Sequence, residues 1–511
     1  MRFNIDVGYA TLSRMSQQHI GQPHRTEPPS CSLGGMLNYG LGECASSLVM
    51  NSVFAFAMLY YTKALGLDPF WAGIALAVAV FWEGITEPVM GHVSDNTRSR
   101  WGRRHPYILA GGLIMAACSY LIWALPQVLG GSPIAIFWQL VGINLVMRTG
   151  LTMFTIPYMA LGFEMCGDYQ GRARLQSIRL IYNMLANLAG PALAWTLFFQ
   201  DQGGVRGTTV AANYLRMGAV FSVVTALLVV LVVVLTFRWR EDTRQVARRV
   251  DGGGHMRRFF RDMRQILLDH NLRWVAVFAL VINLGTVWVS SIQMFVYDDF
   301  MKFQATEKSV AHGSTMVGVI LGALLSAALT RRLEKKAVVI TGGLIGVICN
   351  ILLALLFLTG WVVPGTVLEI GRANLPLATV LFVVFHAGYW LGTGVMLPVA
   401  TAMIADIAEI RLLRTGTNKD AGYASIFSLA TRMAYAIGLM ASGYCLNVVG
   451  YKTLRRAEEF AQHPEAVWRL GCVTFGGGAL MCLLALLAIR PYRVTRSGLV
   501  ELRKGAVAAQ T

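Results

Sequence analysis

Two glutamates lie four residues apart inside an apolar stretch of the chain, in the run FWEGITEPVM that begins at Phe81. Residues at i and i+4 share one face of a helix, so Glu83 and Glu87 present both carboxylates in the same direction. Two negative charges this close repel each other unless a cation lies between them or one carboxylate takes up a proton. The pair is therefore predicted to bind a proton or Na⁺. The alternative is that the helix ends at Pro88 and both carboxylates are solvated at an interface.

Further polar side chains within apolar stretches extend this hypothesis. Glu43 begins the first apolar stretch, in YGLGECASSL, and Thr152 and Thr155 lie ahead of Pro157 in the fourth. Carboxylate and hydroxyl oxygens are suitable ligands for a hard cation. Glu43, Thr152 and Thr155 therefore join the glutamate pair as candidate cation ligands. For each threonine, a hydrogen bond to its own helix backbone is the competing interpretation.

The surrounding sequence is typical of a polytopic membrane protein. Of the 511 residues, 55% are hydrophobic and 14% are charged, whereas soluble domains carry about 25% charged residues. A helix needs about 20 apolar residues to cross the hydrocarbon core, where its backbone must satisfy its own hydrogen bonds. Twelve stretches are predicted to span the membrane as helices: residues 42–65, 70–92, 107–129, 134–163, 180–200, 216–237, 274–300, 309–329, 337–359, 377–404, 422–449 and 469–490.

The basic residues predict the topology of these spans. With the N-terminus in the cytoplasm, about 32 Lys and Arg fall in cytoplasmic segments and about 7 in the opposite loops, as the positive-inside rule expects. Both termini are therefore predicted to be cytoplasmic, and the net charge of +17 does not call for a nucleic-acid partner. The predicted organisation is a cytoplasmic tail (1–40), a six-helix bundle (41–237), a basic cytoplasmic loop (238–273), a second six-helix bundle (274–490) and a cytoplasmic tail (491–511).

The two predicted bundles resemble each other in sequence. RHPYILAGGLIMAACSYLIWAL in the first aligns with KKAVVITGGLIGVICNILLALL in the second, and IPYMALGFEM is echoed by LPVATAMIAD. Two echoes at equivalent places favour a duplicated six-helix unit. Duplicated halves with a binding site between them are typical of secondary transporters. We therefore predict an all-α membrane protein of two pseudo-symmetric bundles that works by alternating access.

At these residues the chain resembles the melibiose permease-like glycoside–pentoside–hexuronide:cation symporter family of the major facilitator superfamily. The resemblance covers about residues 35–490. It is carried by YGLGE, FWEGITEPVMGHVSDNTRSRWGRRHPYILAG, IPYMALGFEM with GRARLQSIR, ADIAEIRLLRTGT and SIFSLATRMAYAIGLMASGYCLNVVGY. It implies the major facilitator fold and the symport of a glycoside or related sugar with H⁺ or Na⁺ as coupling ion. The brief loops fit a bacterial inner membrane, and we expect a monomer in the lipid bilayer.

The resemblance also implies a cation site. Glu83 and Glu87 fall where the family keeps two cation-binding aspartates, and Thr152 falls on a cation-site threonine. Glu43 matches a first-span acid that contacts the substrate. Thr155 replaces a family aspartate that helps to hold both sugar and cation. The loss of one carboxylate weakens a Na⁺ site. Glutamates, which are longer than the family's aspartates, suit a proton. The sequence therefore favours H⁺ slightly as the coupling ion and leaves Na⁺ as the alternative.

Substrate and gate residues are implied in the same way. Arg179 lies close to a sugar-holding arginine of the family, and Arg432 stands where a cavity-facing lysine is usual. Asp406 and Glu409 match acids that, with Arg172, would form an inner gate by charge pairing.

Independently of the family, aromatic side chains near the predicted cavity suit the C–H faces of a sugar. Tyr158, Trp390 and Tyr435 are the candidates, although packing is the ordinary role of membrane aromatics. Arg179 and Arg432 would equally suit a carboxylate or phosphate on the substrate.

The sequence leaves alternatives to a symporter of a soluble glycoside. A lysolipid, lipid-linked sugar or anionic sugar transporter of the same fold is the main alternative, and a non-transporting membrane sensor is a weaker one. The sequence has no nucleophile–base arrangement, no metal-spaced histidine cluster and no Gly-rich phosphate loop. We therefore expect neither an enzyme nor a resident cofactor or metal. Eight scattered cysteines without a CxxC motif are interpreted as inert thiols.

Overall fold

The computed structural model describes residues 32–166, 169–201, 206–239, 266, 268–370, 373–415, 420–452 and 462–508. Its long helices are α1 (Leu33–Leu59), α2 (Pro69–Asn96), α3 (His105–Leu129), α4 (Pro133–Met165), α5 (Tyr169–Leu193), α6 (Ala211–Thr236), α7 (His270–Phe295), α8 (Ala305–Arg332), α9 (Lys335–Leu358), α10 (Leu377–Thr415), α11 (Asp420–Val448) and α12 (Pro464–Ile489). A further helix, α13 (Arg496–Ala508), follows them. A two-stranded antiparallel hairpin, β1 (Leu368–Ile370) and β2 (Ala373–Leu375), precedes α10.

Each of the twelve predicted spans coincides with one of these helices. Eleven of them, within the described residues, are long and apolar enough to cross a membrane. The exception is α5, which carries Arg174, Arg179, Asn183 and Asn187. The predicted all-α membrane fold is confirmed.

Several helix ends differ from the predicted spans. Helix α1 begins at Leu33 rather than 42, α5 begins at Tyr169 rather than 180, and α10 continues to Thr415 rather than 404. A helix does not have to stop where the hydrocarbon does, so hydropathy marks the apolar part and misses the polar turns beyond it. The predicted C-terminal tail contains α13, whose Arg503 donates to Glu409 on α10.

Polar caps set where several helices begin. The side chain of Asp68 accepts a hydrogen bond from the backbone N–H of Phe70 (2.9 Å) at the start of α2. Asp269 does the same for the first turn of α7, through the N–H of Asn271 at 2.9 Å. These carboxylates satisfy amide donors that have no partner inside the helix. Pro69, at the first position of α2, has no N–H to leave unpaired.

Equivalent helices of the two halves make equivalent contacts, as the sequence repeat predicts. In the first half α1 packs on α5 and α6, α4 packs on α2 and α3, and α3 packs on α6. The same pairs recur six helices later: α7 with α11 and α12, α10 with α8 and α9, and α9 with α12. The halves meet where α2 contacts α11 and where α5 contacts α8, again equivalent pairs.

The structure is closed at the face where α1 ends and α2 begins, which we call the opposite face. The other face, which carries the start of α1 and helix α13, is the terminal face. At the opposite face α2 and α11 approach closely. A Cβ on Gly73 would lie only 2.6 Å from the carbonyl oxygen of Leu439. A Cβ on Gly443 would lie 2.3 Å from the carbonyl oxygen of Pro69.

A buried charge cluster joins the halves at the opposite face. We call it the inter-half ion cluster; it comprises Lys63, Arg206, Asp298, Asp299 and Lys308. Lys63 of the first half pairs with Asp298 and, at 2.7 Å, with Asp299 of the second. By contrast, ion pairs described at the terminal face, such as Arg104–Glu164 and Lys335–Asp406, join residues of one half.

Candidate cation and substrate site

The glutamate pair lies in a charge cluster with two arginines. Arg148 Nη1 on α4 is 2.5 Å from Glu83 Oε2, and Arg432 Nη1 on α11 is 3.2 Å from Glu83 Oε1. Arg432 also pairs with Glu87 through Nη2. We call Glu83, Glu87, Arg148 and Arg432 the carboxylate–arginine cluster. Its two negative and two positive charges balance, as buried charges require.

Helix α2 continues past both glutamates, with Pro88 inside it, as far as Asn96. The alternative of a helix that ends at Pro88 is therefore wrong, and Glu83 is buried. The two carboxylates meet Arg432 because α2 packs along α11 of the other half. The predicted pair therefore lies at the interface between the halves. A movement of one half relative to the other would change the surroundings of both carboxylates.

Arg148 is a functional candidate that the sequence analysis missed. It lies in the middle of the predicted fourth span, in LVMRTGL. The signal was available, since an arginine within an apolar span is as costly to bury as a glutamate. Only the position of its partner on α2 could not be deduced from spacing.

The two candidate threonines behave differently. Thr152 is buried, and its hydroxyl oxygen lies 3.3 Å from that of Thr86 on α2, between the two glutamates in sequence. Thr155 donates its hydroxyl to the carbonyl oxygen of Leu151 at 2.8 Å, which is the competing backbone interpretation. A lone pair of the Thr155 hydroxyl is still available to a cation. The cation role of both threonines stays a prediction.

Glu43 belongs to a separate site between α1 and α5. Its Oε2 lies 2.8 Å from Arg179 Nη2, and its Oε1 accepts from Asn183 Nδ2 at 3.4 Å. Asn183 also donates to Ser47 at 2.7 Å. The structure therefore brings Glu43 and Arg179 together, as candidate substrate residues, but pairs neither with the carboxylate–arginine cluster.

Tyr158 packs inside the first half. Its ring stacks on Tyr39 with centroids 4.2 Å apart, and each hydroxyl donates to the other residue's carbonyl oxygen at 2.7 Å. The guanidinium carbon of Arg179 lies 5.4 Å from the Tyr158 ring centre. In this state Tyr158 supports Arg179, and its contact with substrate stays a prediction.

Two neighbouring cavities lie between the halves. The first, of about 440 Å³, is lined by Glu83, Arg148 and Arg432. The second, of about 270 Å³, is lined by Trp390 and His312. Residues common to both walls are Met50, Phe54 and Tyr435. Three predicted substrate residues, Arg432, Trp390 and Tyr435, therefore face cavities.

The predicted inner gate is only partly described. Asp406 pairs with Lys335 at 2.7 Å, and Glu409 pairs with Arg503 at 2.6 Å. Arg172 lies on α5, but its side chain is outside the described residues. Charge pairing of Arg172 with the two acids stays a prediction.

Within the described residues, no group of three or more His, Cys, Asp and Glu side chains is placed to hold a metal ion. The polar groups of the site are carboxylates, arginines and hydroxyls on facing helices. Such groups can bind a small cation and a hydroxylated or anionic solute.

The chain is similar to known transporters along most of its length. It is 23% identical over 423 residues to the glucuronide carrier protein homolog of Escherichia coli, covering 81% of this chain and 84% of that protein. It is 23% identical over 419 residues to the isoprimeverose transporter of Lactiplantibacillus pentosus, covering 81% and 80%. A shorter match, 28% identical over 163 residues, covers 32% of this chain and 30% of the sodium-dependent lysophosphatidylcholine symporter 1-B of Danio rerio.

The fold matches that of solved transporters. The crystal structure of a D-xylose-proton symporter superposes with a TM-score of 0.58 at 13% identity, covering 88% of this chain and 97% of that one. At this identity the likeness concerns the fold alone. The sequence profile of the family described as MFS/sugar transport protein matches residues 38–496. The chain therefore belongs to the MFS/sugar transport protein family, and it is an integral, multi-pass secondary transporter and not an enzyme.

Proposed function

We propose that the protein is an H⁺-coupled symporter of an anionic glycoside in a bacterial inner membrane. The observation that carries this proposal is the position of Arg432, which pairs with both glutamates of the predicted cation site. Arg432 comes from the second half and lines the cavity of about 440 Å³. An arginine in this position suits a carboxylate on the substrate. Similarity to a glucuronide carrier homolog supports the same class of solute.

Arg432 gives a physical route for coupling. When a substrate carboxylate pairs with Arg432, Glu87 loses its described cationic partner. An unpaired carboxylate is costly in a poorly hydrated site, so Glu87 then takes up a proton. Substrate binding thus strengthens proton binding, and linkage requires the reverse to hold by the same factor. Glu83 keeps Arg148 throughout, which makes Glu87 the exchanging group.

Glu87→Gln tests this mechanism. The amide is nearly isosteric but cannot exchange a proton, so pH-driven accumulation should fall to the level of empty liposomes. Exchange of internal for external substrate should persist. The measurement is uptake of radiolabelled 4-nitrophenyl β-D-glucuronide into proteoliposomes, with and without an inward pH gradient or a Na⁺ gradient.

The matched control is Glu465→Gln, which removes a carboxylate from an exposed pair with Arg469 and should accumulate substrate as the wild type does. If Glu87→Gln accumulates substrate as the wild type does, Glu87 does not bind the coupling ion. Accumulation that depends on the Na⁺ gradient and not on the pH gradient would show that the coupling ion is Na⁺ and not H⁺.

A lysolipid is the second candidate substrate. The partial match to a lysophosphatidylcholine symporter favours it, as does a mainly apolar cavity of about 650 Å³ between α2 and α4, lined by Trp71, Phe137 and Trp138. Uptake of labelled lysophosphatidylcholine by the same proteoliposomes, with no uptake of the glucuronide, would favour this candidate.

A further inference from the structure

A further cavity lies at the opposite face, beside the inter-half ion cluster. We call it the outer cavity. Its volume is about 490 Å³, within the range of about 300–1,000 Å³ that small-molecule sites occupy. Arg206 of the first half lines it, together with Asp299, Lys302 and Trp468 of the second half. Because both halves contribute to its wall, the cavity is complete only while the opposite face is closed.

The charged groups that the outer cavity offers to a ligand are positive. Asp299 already pairs with Lys63 and Arg206, each at 2.7 Å, and accepts a hydrogen bond from Tyr451 at 2.6 Å. Arg206 uses Nη1 for its described bonds to the carbonyl oxygen of Asp298 and to Asp299 Oδ1. Its side chain is 28% exposed, and arginine has further N–H donors on Nε and Nη2. Arg206 can therefore bind an anion without releasing Asp299.

Lys302 is the second cation of this wall, and it is exposed. Among the described residues, its ammonium group has neither a hydrogen bond nor an ion pair. Its backbone lies in the left-handed region, with a φ of 55°, and no other described residue except glycine has a positive φ. A side chain makes this conformation unfavourable, because its Cβ crowds the backbone.

The equivalent turn of the first half has glycine in place of this lysine. There Gly66, with a φ of 70°, precedes an N–H that donates to the carbonyl oxygen of Tyr61 at 2.8 Å. In the second half Lys302 precedes an N–H that donates to the carbonyl oxygen of Tyr297 at 2.9 Å. The turn itself therefore favours glycine, and the lysine at this position indicates a role for its side chain.

The rest of the wall is mainly aromatic and apolar. Phe300, Phe357 and Trp468 line the cavity, and Trp468 is 51% exposed, so its ring surface is available to a ligand. A hydrogen bond from Trp468 Nε1 to the carbonyl oxygen of Leu358 at 3.2 Å fixes the indole. Planar rings pack well on such side chains. The wall therefore combines cations, which suit a carboxylate, with a surface that suits a ring.

We propose that the outer cavity binds a ring-bearing organic carboxylate. The carboxylate pairs with Arg206 and Lys302, and the ring packs on Trp468. Because Arg206 belongs to the first half and the other two residues to the second, the ligand contacts all three only when the opposite face is closed. A ligand that binds one state better stabilises that state, so the bound anion keeps this face closed. The inference does not rest on the proposed function, because the outer cavity is separate from the carboxylate–arginine cluster.

The test is equilibrium binding to the purified full-length protein, measured by calorimetry with 4-nitrobenzoate and with the neutral 4-nitrobenzamide. The wild type should bind the benzoate at least tenfold more tightly, because the amide carries no charge to pair with the cations. Lys302→Gly removes one cation and leaves the residue that the turn favours, so the variant should unfold at the wild-type temperature or above it. Its Kd for 4-nitrobenzoate should rise about tenfold, with the Kd for 4-nitrobenzamide unchanged.

Trp468→Leu should raise the Kd of both probes about threefold, since ring packing is lost and the cations remain. Lys504→Gln is the matched control: it removes an exposed lysine of α13 at the terminal face and should leave both Kd values as in the wild type. A wild-type Kd of Lys302→Gly for 4-nitrobenzoate would overturn the inference. Equal affinity of the wild type for the two probes would also overturn it, because the cations would then play no part in binding.

Discussion

At the scale of single residues, the site is decided by charge balance. Glu83 is held by Arg148 and Arg432, so removing one arginine does not remove all of its compensation. Glu87 has Arg432 as its described ion-pair partner. The two glutamates, equivalent in the sequence pattern, therefore differ in their surroundings: Glu83 has two arginine partners and Glu87 has one described partner.

A double-mutant cycle between Glu83 and Arg148 tests this difference. Arg148→Gln should destabilise the protein by about 1–3 kcal/mol, because Glu83 loses one of its two charged partners and keeps Arg432. Glu83→Gln in the same background should recover most of that loss, since the remaining pair is neutral. Thermal unfolding in detergent, followed by intrinsic fluorescence, measures both changes. Additive effects of the two substitutions would show that Arg148 is not the structural partner of Glu83.

The sequence predicted residue types well and partners poorly. The i, i+4 spacing identified Glu83 and Glu87 because it depends only on helix geometry. It could not show that Arg432, some 345 positions away, would pair with them, because that contact depends on how α2 lies against α11. The sequence predicts that Tyr158 is an aromatic residue near the cavity. The spacing of residues does not predict the ring stacking with Tyr39 that buries it.

At the scale of helices, paired glycines set how closely the elements pack. Gly112 of α3 faces α6, where a Cβ would lie 2.5 Å from Val229. Gly343 of α9 faces α12, where a Cβ would lie 2.5 Å from Leu486. The two glycines occupy the same place in GGLI of the sequence repeat. The two glycines therefore make equivalent close contacts in the two halves.

Alanine substitutions at both of these glycines should destabilise the protein. Gly112→Ala and Gly343→Ala should each destabilise the protein by about 1–3 kcal/mol, because the added methyl group overpacks a helix contact. Gly142→Ala on α4 is the matched control, since nothing lies within 4 Å of a Cβ there; it should be neutral or stabilising by about 1 kcal/mol. Thermal unfolding of the three variants provides the measurement. Destabilisation by Gly142→Ala of the same size would mean that the effect is not one of packing.

Helix existence was easier to predict than helix ends. Twelve apolar stretches were enough to place twelve helices, since a bilayer leaves the backbone few other ways to pair its amides. The ends of α1, α5 and α10 lie beyond the apolar parts, where capping and tertiary contacts decide the boundary. Helix α13 was missed for the same reason, because it is amphipathic and short and rests on α10 through the Arg503–Glu409 pair.

At the scale of the whole molecule, the closed opposite face combines two kinds of contact. Tight helix packing at Gly73 and Gly443 joins α2 to α11. The inter-half ion cluster joins the segments after α1 and before α6 to the segment between α7 and α8. Its second-half acids are also held by Thr208 at 2.7 Å and by Tyr451 at 2.6 Å. Alternating access requires this face to open, so the cluster must then exchange buried partners for water.

Lys63→Met should therefore shift the protein towards a state that is open at the opposite face. Lys63 is a first-half cation that contacts both Asp298 and Asp299, whereas Lys308 pairs with Asp298 inside the second half. Removing Lys63 weakens attraction between the halves and leaves buried acids undercompensated in the closed state alone. We expect at least a tenfold rise in the open-to-closed ratio, which corresponds to about 1.4 kcal/mol.

Double electron–electron resonance between spin labels at residues 128 and 361 measures this shift. Val128 and Trp361 are exposed at the opposite face on equivalent parts of the two halves, and the native cysteines would be replaced. Lys63→Met should populate longer distances, whereas Lys452→Met, which removes an exposed lysine beyond α11, should leave the wild-type distribution. An unchanged distribution in Lys63→Met would assign closure of this face to the α2–α11 packing at Gly73 and Gly443. The ion cluster would then stabilise each half without holding the two together.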